Sequence, residues 1–415
     1  MAESAVNYSS NVGECSNSKL IMAESAVKAV EPQIRERSGH AAAADRQHLY
    51  IWGGYASVAD QEQFLPRDEI WIYDLERGSW CVRQVCGSAP PPLSGSSSCL
   101  LDGELFIFGG CSDDGQTNEL YSISLGDGRF TCRRVTHRSG SPPSPRDKLC
   151  CWLHEGRIVF FGGYGPKLLR EVGDLQSFTV DEASWADGVF WGWNNETHQF
   201  DPERRSWTEV QTTGGAPAPR AAHASATIGC KGFICGGRVK DTRTSDLHCL
   251  DFSSWTWSEI VCSGASPTGR SWHTLTAVSH TALFLFGGLS VDCRPMSDVW
   301  IFNLETNHWM KMKHKHTHRP RLWHTASAGA DADVVVFGGS GDNILLMDTV
   351  VSGLHLSPHQ CVPDSPPAAE TAPPPAEQNT AHTCTHTCTA VTHLHIHTHT
   401  CTEVTHLQTH TPALK

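Results

Sequence analysis

Six pairs of adjacent glycines, each closing a short apolar run, constrain this chain more than any other feature. They are Gly53-Gly54, Gly109-Gly110, Gly162-Gly163, Gly236-Gly237, Gly287-Gly288 and Gly338-Gly339. The runs before them include Leu49-Tyr50-Ile51-Trp52, Leu105-Phe106-Ile107-Phe108 and Val334-Val335-Val336-Phe337. The first glycines are spaced by 56, 53, 74, 51 and 51 residues. Self-similarity at a period near 50 marks one supersecondary unit repeated, each copy unable to bury its apolar face alone. A glycine pair at a strand end permits positive φ and close backbone approach.

Other positions repeat in phase. An Arg-x-x-His tetrad precedes four of the pairs: Arg37-Ser38-Gly39-His40, Arg220-Ala221-Ala222-His223, Arg270-Ser271-Trp272-His273 and Arg321-Leu322-Trp323-His324. The third unit keeps only the arginine, in Arg146-Asp147-Lys148-Leu149, and the second breaks the pattern with Leu93-Ser94-Gly95-Ser96. Downstream comes an alternating segment such as Glu69-Ile70-Trp71-Ile72-Tyr73-Asp74, then an aromatic: Trp80, Phe130, Trp207, Trp257 or Trp309. Each unit reads as four strands, the blade of a kelch β-propeller. The expectation is an all-β, six-bladed kelch propeller over residues 33–356, with disordered extensions at 1–32 and 357–415. Blade six reads as incomplete. Part of a third strand is read in Asn343–Asp348 and no tryptophan strand follows. A residual strand from Val350 to Leu356, or a segment near Ala26–Val30, is available to fill the gap.

Composition narrows the partners. The formal net charge of −12 argues against nonspecific binding to nucleic acid or anionic membrane. No apolar stretch approaches a membrane span, and the N-terminal segment has no apolar signal core. The 17 cysteines are scattered, without paired Cys-x-x-Cys motifs in the propeller, so no metal site is expected there. Strand positions such as Cys99 and Cys235 read as small hydrophobes in a reducing compartment, cytoplasm or nucleus. Residues 362–379 are rich in proline and alanine. The tail beyond them alternates Thr and His, as a CA dinucleotide repeat would encode, so any metal uptake by its His and Cys is incidental.

In an up-and-down blade the loop entering the tetrad strand and the loop leaving the glycine-pair strand lie on one face. Residues that repeat there are structural candidates, and the tetrad arginines read as inter-blade hydrogen-bond donors. Departures from the repeat are functional candidates. After the glycine pairs stand Tyr55, Cys111, Tyr164, Arg238, Leu289 and Ser340. Only blade four places a charge there, and Arg243 follows within a short loop. Beside it fall Ser271 and Trp272, with Trp323 repeating the tryptophan in blade six. Blade three adds Lys148, Tyr164 and Trp193, and its long excursion accounts for the 74-residue step. Two guanidiniums and a hydroxyl can hold a carboxylate by charge-assisted hydrogen bonds of about 1.5–3 kcal/mol each. The alternative is surface pairing of Arg238 and Arg243 with Asp241, Asp246 or Glu259.

Taken together, Tyr50-Ile51-Trp52-Gly53-Gly54-Tyr55, Pro145-Arg146-Asp147-Lys148-Leu149, Phe190-Trp191-Gly192-Trp193, Gly237-Arg238-Val239 with Thr242-Arg243, Gly269-Arg270-Ser271-Trp272-His273 and Arg321-Leu322-Trp323-His324 resemble the kelch domain-containing protein 1 and 2 family, member 1 more closely. The resemblance covers about residues 35–348. It implies a substrate receptor of a cullin-RING ubiquitin ligase that binds glycine-ended C-terminal degrons. It further implies carboxylate contacts from Arg238, Arg243 and Ser271, and a lining of Tyr55, Lys148, Tyr164, Trp193, Trp272 and Trp323. The family continues into a Leu-rich box that docks elongins B and C and the cullin scaffold; no such segment is read after Asp348. The other readings are a general kelch interaction scaffold and a degron binder that does not dock the ligase. No catalytic set and no cofactor are expected: no Ser-His-Asp or paired-carboxylate arrangement stands out.

Overall fold

The computed structural model describes residues 34–352, except 59–60, 127, 173–176, 185–187, 315–316, 330–333, 342–343 and 346–348. The expected terminal extensions, 1–32 and 357–415, lie outside the described residues. Five sheets follow one another along the chain, each built on four antiparallel strands that meander outward from the first. Blade one runs through Ala41–Ala44, His48–Trp52, Glu69–Asp74 and Ser79–Gln84. Blade two has Ser97–Leu101, Glu104–Phe108, Leu120–Ser124 and Thr131–Arg134; blade three has Cys150–His154, Arg157–Phe161, Thr197–Asp201 and Ser206–Glu209. Blade four has Ala224–Ile228, Lys231–Val239, Thr242–Asp251 and Thr256–Glu259; blade five has Thr274–Ala277, Ala282–Ser290, Pro295–Asn303 and His308–Met312. The described part of blade six has Thr325–Ala328, Val334–Phe337 and Thr349–Ser352.

The alternation of side chains explains why the sheets stack radially. A strand sends successive side chains to opposite faces. Leu105 and Ile107 pack toward blade one, whereas Phe106 and Phe108 pack toward blade three. Both faces are therefore buried, and six apolar clusters fill the joints between consecutive blades. The last cluster sets Leu49, Ile51 and Trp71 of blade one against Val335 and Phe337 of blade six, which closes the propeller. Each fourth-strand aromatic reaches back to the preceding blade. The Trp207 ring lies 5.2 Å from Phe108, and Trp80 lies 5.0 Å from Phe337. Truncating such a ring to Ala costs about 3–5 kcal/mol.

The third strand of blade six is Thr349–Ser352, not a segment within Asn343–Asp348. The physical reason is shared by every blade. The chain leaving a glycine pair first folds back on itself: Tyr55–Val58 pairs with Gln61–Phe64, and Cys111–Ser112 with Gly115–Gln116. In blade six Ile344–Leu345 is this returning arm, paired with Ser340–Gly341, so the blade strand comes later.

The links between blades add a device absent from the sequence reading. Cys86–Gly87 runs parallel to Thr131 and Cys132, and Thr213–Gly214 runs parallel to Thr256 and Trp257. Ser139 bridges Ser206 and Ser263 bridges His308 in the same sense. Each link thus clasps the outer edge of the blade it leads into, covering unpaired backbone. At Gly140 a Cβ would stand 1.9 Å from the Trp207 carbonyl oxygen, and φ is +73°, so only glycine fits.

Candidate functional site

The tetrads build a collar around the axis. In each blade the residue after the tetrad's first position bridges the residue after the glycine pair: Ser38 to Tyr55, Ser94 to Cys111, Asp147 to Tyr164, Ala221 to Arg238, Ser271 to Leu289 and Leu322 to Ser340. Entry loop and exit loop therefore share one face, as expected from strand reversal. The third tetrad residues then form a closed ring of backbone hydrogen bonds. Gly95 N–H donates to Gly39 O, Lys148 to Gly95, Ala222 to Lys148, Trp272 to Ala222, Trp323 to Trp272 and Gly39 to Trp323, over 2.8–3.1 Å. All six residues have left-handed φ, including Lys148 at 54°, Trp272 at 54° and Trp323 at 55°. For a bulky residue that conformation is strained by about 1–2 kcal/mol, and the ring of bonds holds it. Around this ring opens a shallow axial well lined by Gly39, Gly95, Lys148, Ala222, Trp272 and Trp323.

The tetrad arginines are structural. Arg220 donates to the Gly236 carbonyl at 2.9 Å and holds Asp246 through both terminal nitrogens at 2.8 and 2.7 Å. Arg270 repeats this with Gly287 and Asp298, and Arg146 with Gly162 and Glu196. Burial alone would raise the Asp246 carboxyl, but its bonds to Arg220 and His248 outweigh that and hold it far below the carboxylate range. Blade two lacks the arginine, and there the Ser96 hydroxyl donates to the Gly109 carbonyl at 3.0 Å instead. The tetrad histidines are neutral bridges. His40 Nε2 meets Thr325 Oγ1 of blade six at 2.8 Å, and His324 meets Thr274 of blade five at 3.1 Å. Burial, reinforced by the neighbouring tetrad arginine, lowers His223 and His273 to about 3.

The departing residues converge above this collar. Strands Lys231–Val239 and Thr242–Asp251 form a tight hairpin in which Arg238 faces Arg243 directly. Both are half-buried. Arg243 Nε donates to Ser271 Oγ at 2.9 Å, and its guanidinium lies 5.8 Å from the Trp272 ring. Arg238 lies 5.7 Å from the Trp193 ring and donates to the Lys240 carbonyl at 2.8 Å. Trp272 and Trp323 sit 5.7 Å apart, and Trp323 meets Tyr55 edge-on at 5.6 Å. Lys148 Nζ lies 5.6 Å from the Trp323 ring. Tyr164 packs edge-on to Trp193 at 5.3 Å, with its hydroxyl held by Asp181 and Ser184 at 3.0 and 3.2 Å. All nine residues singled out in the sequence thus join through direct contacts into one surface.

Among the described residues no carboxylate comes within 4.0 Å of Arg238 or Arg243, and Asp246 is taken by Arg220 and His248. Lys148 differs: its ammonium is paired to Asp147 Oδ2 at 2.6 Å. The Trp272 indole N–H is buried with no partner among the described residues.

The family model described as the KLHDC2/KLHL20/DRC7 Kelch-repeats domain matches residues 39–288, and a Kelch motif matches 273–314. Mouse Kelch domain-containing protein 1 is 48% identical over 318 residues, 76% of this chain and 78% of that protein. This chain belongs to the kelch domain-containing protein 1 and 2 family. Bovine Kelch domain-containing protein 2 is 45% identical over 320 residues, 75% of this chain and 77% of that protein, so the kelch chain stands closer to member 1. A solved structure described as that of YjhT superposes with a TM-score of 0.58 over 77% of the chain and 95% of its own, at 16% identity, which speaks to the kelch fold alone. Kelch propellers of this family are protein-interaction modules, typically binding proteins rather than enzymes. In this kelch chain no cluster of three or more His, Cys, Asp or Glu among the described residues is placed to hold a metal.

Two contributors escaped the sequence reading. Asp147 neutralises Lys148, a pairing hidden because adjacent residues usually diverge. Cys293, from the blade-five loop, brings its sulfur 3.8 Å from Arg243 Nη1. Its proximity depends on a hairpin arm that no local pattern marks.

Proposed function

We propose that this kelch protein is a receptor for protein C-termini, holding the free carboxylate between Arg238, Arg243 and Ser271 over the Trp193, Trp272 and Trp323 rings. The family resemblance extends this reading to glycine-ended degrons of a cullin-RING ubiquitin ligase, with docking to elongins B and C a separate step because the Leu-rich box that serves it is not read after Asp348. The observation that carries the reading is the pair of guanidiniums opposed across one hairpin without a carboxylate. Like charges directly opposite destabilise a strand pair, and an anion between them removes the repulsion. Ser271 Oγ accepts from Arg243, which leaves its hydroxyl hydrogen for a second acceptor. The buried Trp272 N–H offers another donor, and the indole faces bury a peptide backbone.

The test is paired binding of the full chain to one peptide ending Gly-Gly, as free acid and as amide. The acid binds at least about 30-fold more tightly, the equivalent of about 2 kcal/mol of lost charge-assisted bonds and unpaired arginine. Equal affinity for acid and amide refutes carboxylate capture and leaves a general interaction surface. Co-purification of elongins B and C with the full chain tests the ligase step separately.

A further inference from the structure

We propose that Cys99 and Cys151 are a redox pair that forms a reversible disulfide between blades two and three when the chain meets hydrogen peroxide. The inference is independent of carboxylate capture. The two cysteines lie on the innermost strands of adjacent blades, Ser97–Leu101 and Cys150–His154, which pack against each other. They share the apolar cluster at that joint. Strand alternation turns both side chains into this joint, and the Cys151 sulfur lies 3.4 Å from the carbonyl oxygen of Ser98, the residue next to Cys99. Cys99 is buried and Cys151 half-buried, and both are free thiols.

The place of the pair in the fold is as informative as its geometry. At three joints a tetrad histidine spans to the preceding blade: His40 to Thr325, His324 to Thr274 and His223 to Cys150. Blade three has Leu149 at the tetrad's last position, so no imidazole crosses into blade two. Blade two has Ser96 at that position, so two joints have no tetrad histidine, and the thiol pair occupies the one between blades two and three. The two sulfurs also differ in access. Cys99 is buried, whereas Cys151 is half-buried and is the sulfur that peroxide reaches first. Cys151 is thus the attacking thiolate and Cys99 the resolving thiol.

The reaction balances in two steps. The Cys151 thiolate attacks one peroxide oxygen and the O–O bond breaks, giving a sulfenic acid and, with one proton, water. The Cys99 sulfur then attacks the sulfenyl sulfur; the S–S bond forms, the S–O bond breaks, and the thiol proton leaves with hydroxide as a second water. Two thiols are oxidised and one peroxide is reduced to two waters.

The experiment is a peptide map of the full folded chain after brief peroxide treatment, digested without reductant, with fragmentation across Cys150 and Cys151. A Cys99–Cys151 cross-link that dithiothreitol reverses is expected, together with a higher melting temperature of the oxidised form. C99S and C151S each abolish cross-link and shift, while C150S keeps both. Oxidation of exposed Cys86, Cys230 and Cys293 with Cys99 and Cys151 still alkylatable after unfolding overturns the proposal. The map is read on the unsubstituted chain, so a variant that folds poorly does not decide the outcome.

Discussion

The tetrad arginines and the blade-four pair, Arg238 and Arg243, carry the same guanidinium into opposite circumstances. Arg220 and Arg270 are 1% exposed, each closed around a glycine carbonyl and a carboxylate of its own blade. Arg238 and Arg243 are half-buried, face each other across a hairpin and meet no carboxylate among the described residues. The first set recurs because every blade must satisfy the same orphaned carbonyl at its glycine pair. The second occurs once because nothing in the repeat needs it. A satisfied cation fixes architecture, and an unsatisfied one is available to a ligand.

The sharpest way to break the comparison is to remove one arginine from each set. Arg270→Ala leaves the Asp298 carboxylate and the Gly287 carbonyl without their partner, and is expected to cost about 3–5 kcal/mol in urea unfolding. The double variant Arg238→Ala, Arg243→Ala removes a like-charge pair, so its stability stays within about 1 kcal/mol of the parent or rises slightly. Its binding to the Gly-Gly acid falls to the level of the amide. A double variant that unfolds as readily as Arg270→Ala makes the hairpin arginines structural and erases the distinction.

How much of this was legible in the sequence follows from the same contrast. Glycine pairs, tetrads and outer aromatics could be read because each blade poses one packing problem and solves it with one residue type. The blade-two break misled only in part. Its side chains changed, but Gly95 keeps the ring bond and Ser96 takes over the carbonyl that arginine holds elsewhere. Arg238 stood out as a departure; its stacking on Trp193 did not, since that contact spans two blades. The edge clasps were invisible because two residues carry no hydrophobic period, although a glycine recurs six positions before the tetrad at Gly87, Gly140, Gly214 and Gly264. The blade-six third strand was misplaced because Ile344-Leu345 has the apolar character of a blade strand yet serves the returning arm.

The collar should also respond to pH where the hairpin does not. His223 and His273 are held neutral, down to about 3, first by burial and then by the adjacent arginine. The fold therefore binds fewer protons than the unfolded chain, whose histidines titrate near 6.5. Their contribution is full above that value and drains as pH falls toward 3. Asp246 and Asp298, lowered by Arg220 and Arg270 despite burial, add to the loss only below about 4. Leucine occupies the histidine's place naturally at Leu149, so His273→Leu is a fair probe. Between pH 6 and 4 its stability should fall about 1.4 kcal/mol per pH unit less steeply than the parent's, the linkage of one proton. Parallel slopes would show that the His273 imidazole is already hydrated and protonated in the folded chain. Carboxylate binding depends on guanidinium groups, which do not deprotonate in proteins, and should hold level from pH 8 to 5.

The smallest effect tests the finest part of the comparison, whether Ser271 belongs to the collar or to the hairpin. It sits in a tetrad, is fully buried and bridges Leu289 through its backbone, all collar properties. Its hydroxyl, however, touches Arg243 and not the glycine carbonyl that Arg270 serves. Ser271→Ala keeps the backbone bridge and frees Arg243 Nε, which half-exposed can turn to water, so stability should change by under about 1 kcal/mol. Binding of the free-acid peptide loses one hydroxyl bond and the orientation of one guanidinium, about 5–10-fold. Binding of the amide, already weak, should not change further. A loss of stability with acid and amide affinities scaled down together would place Ser271 with the collar, and the boundary between scaffold and reader would then run between Ser271 and Arg243.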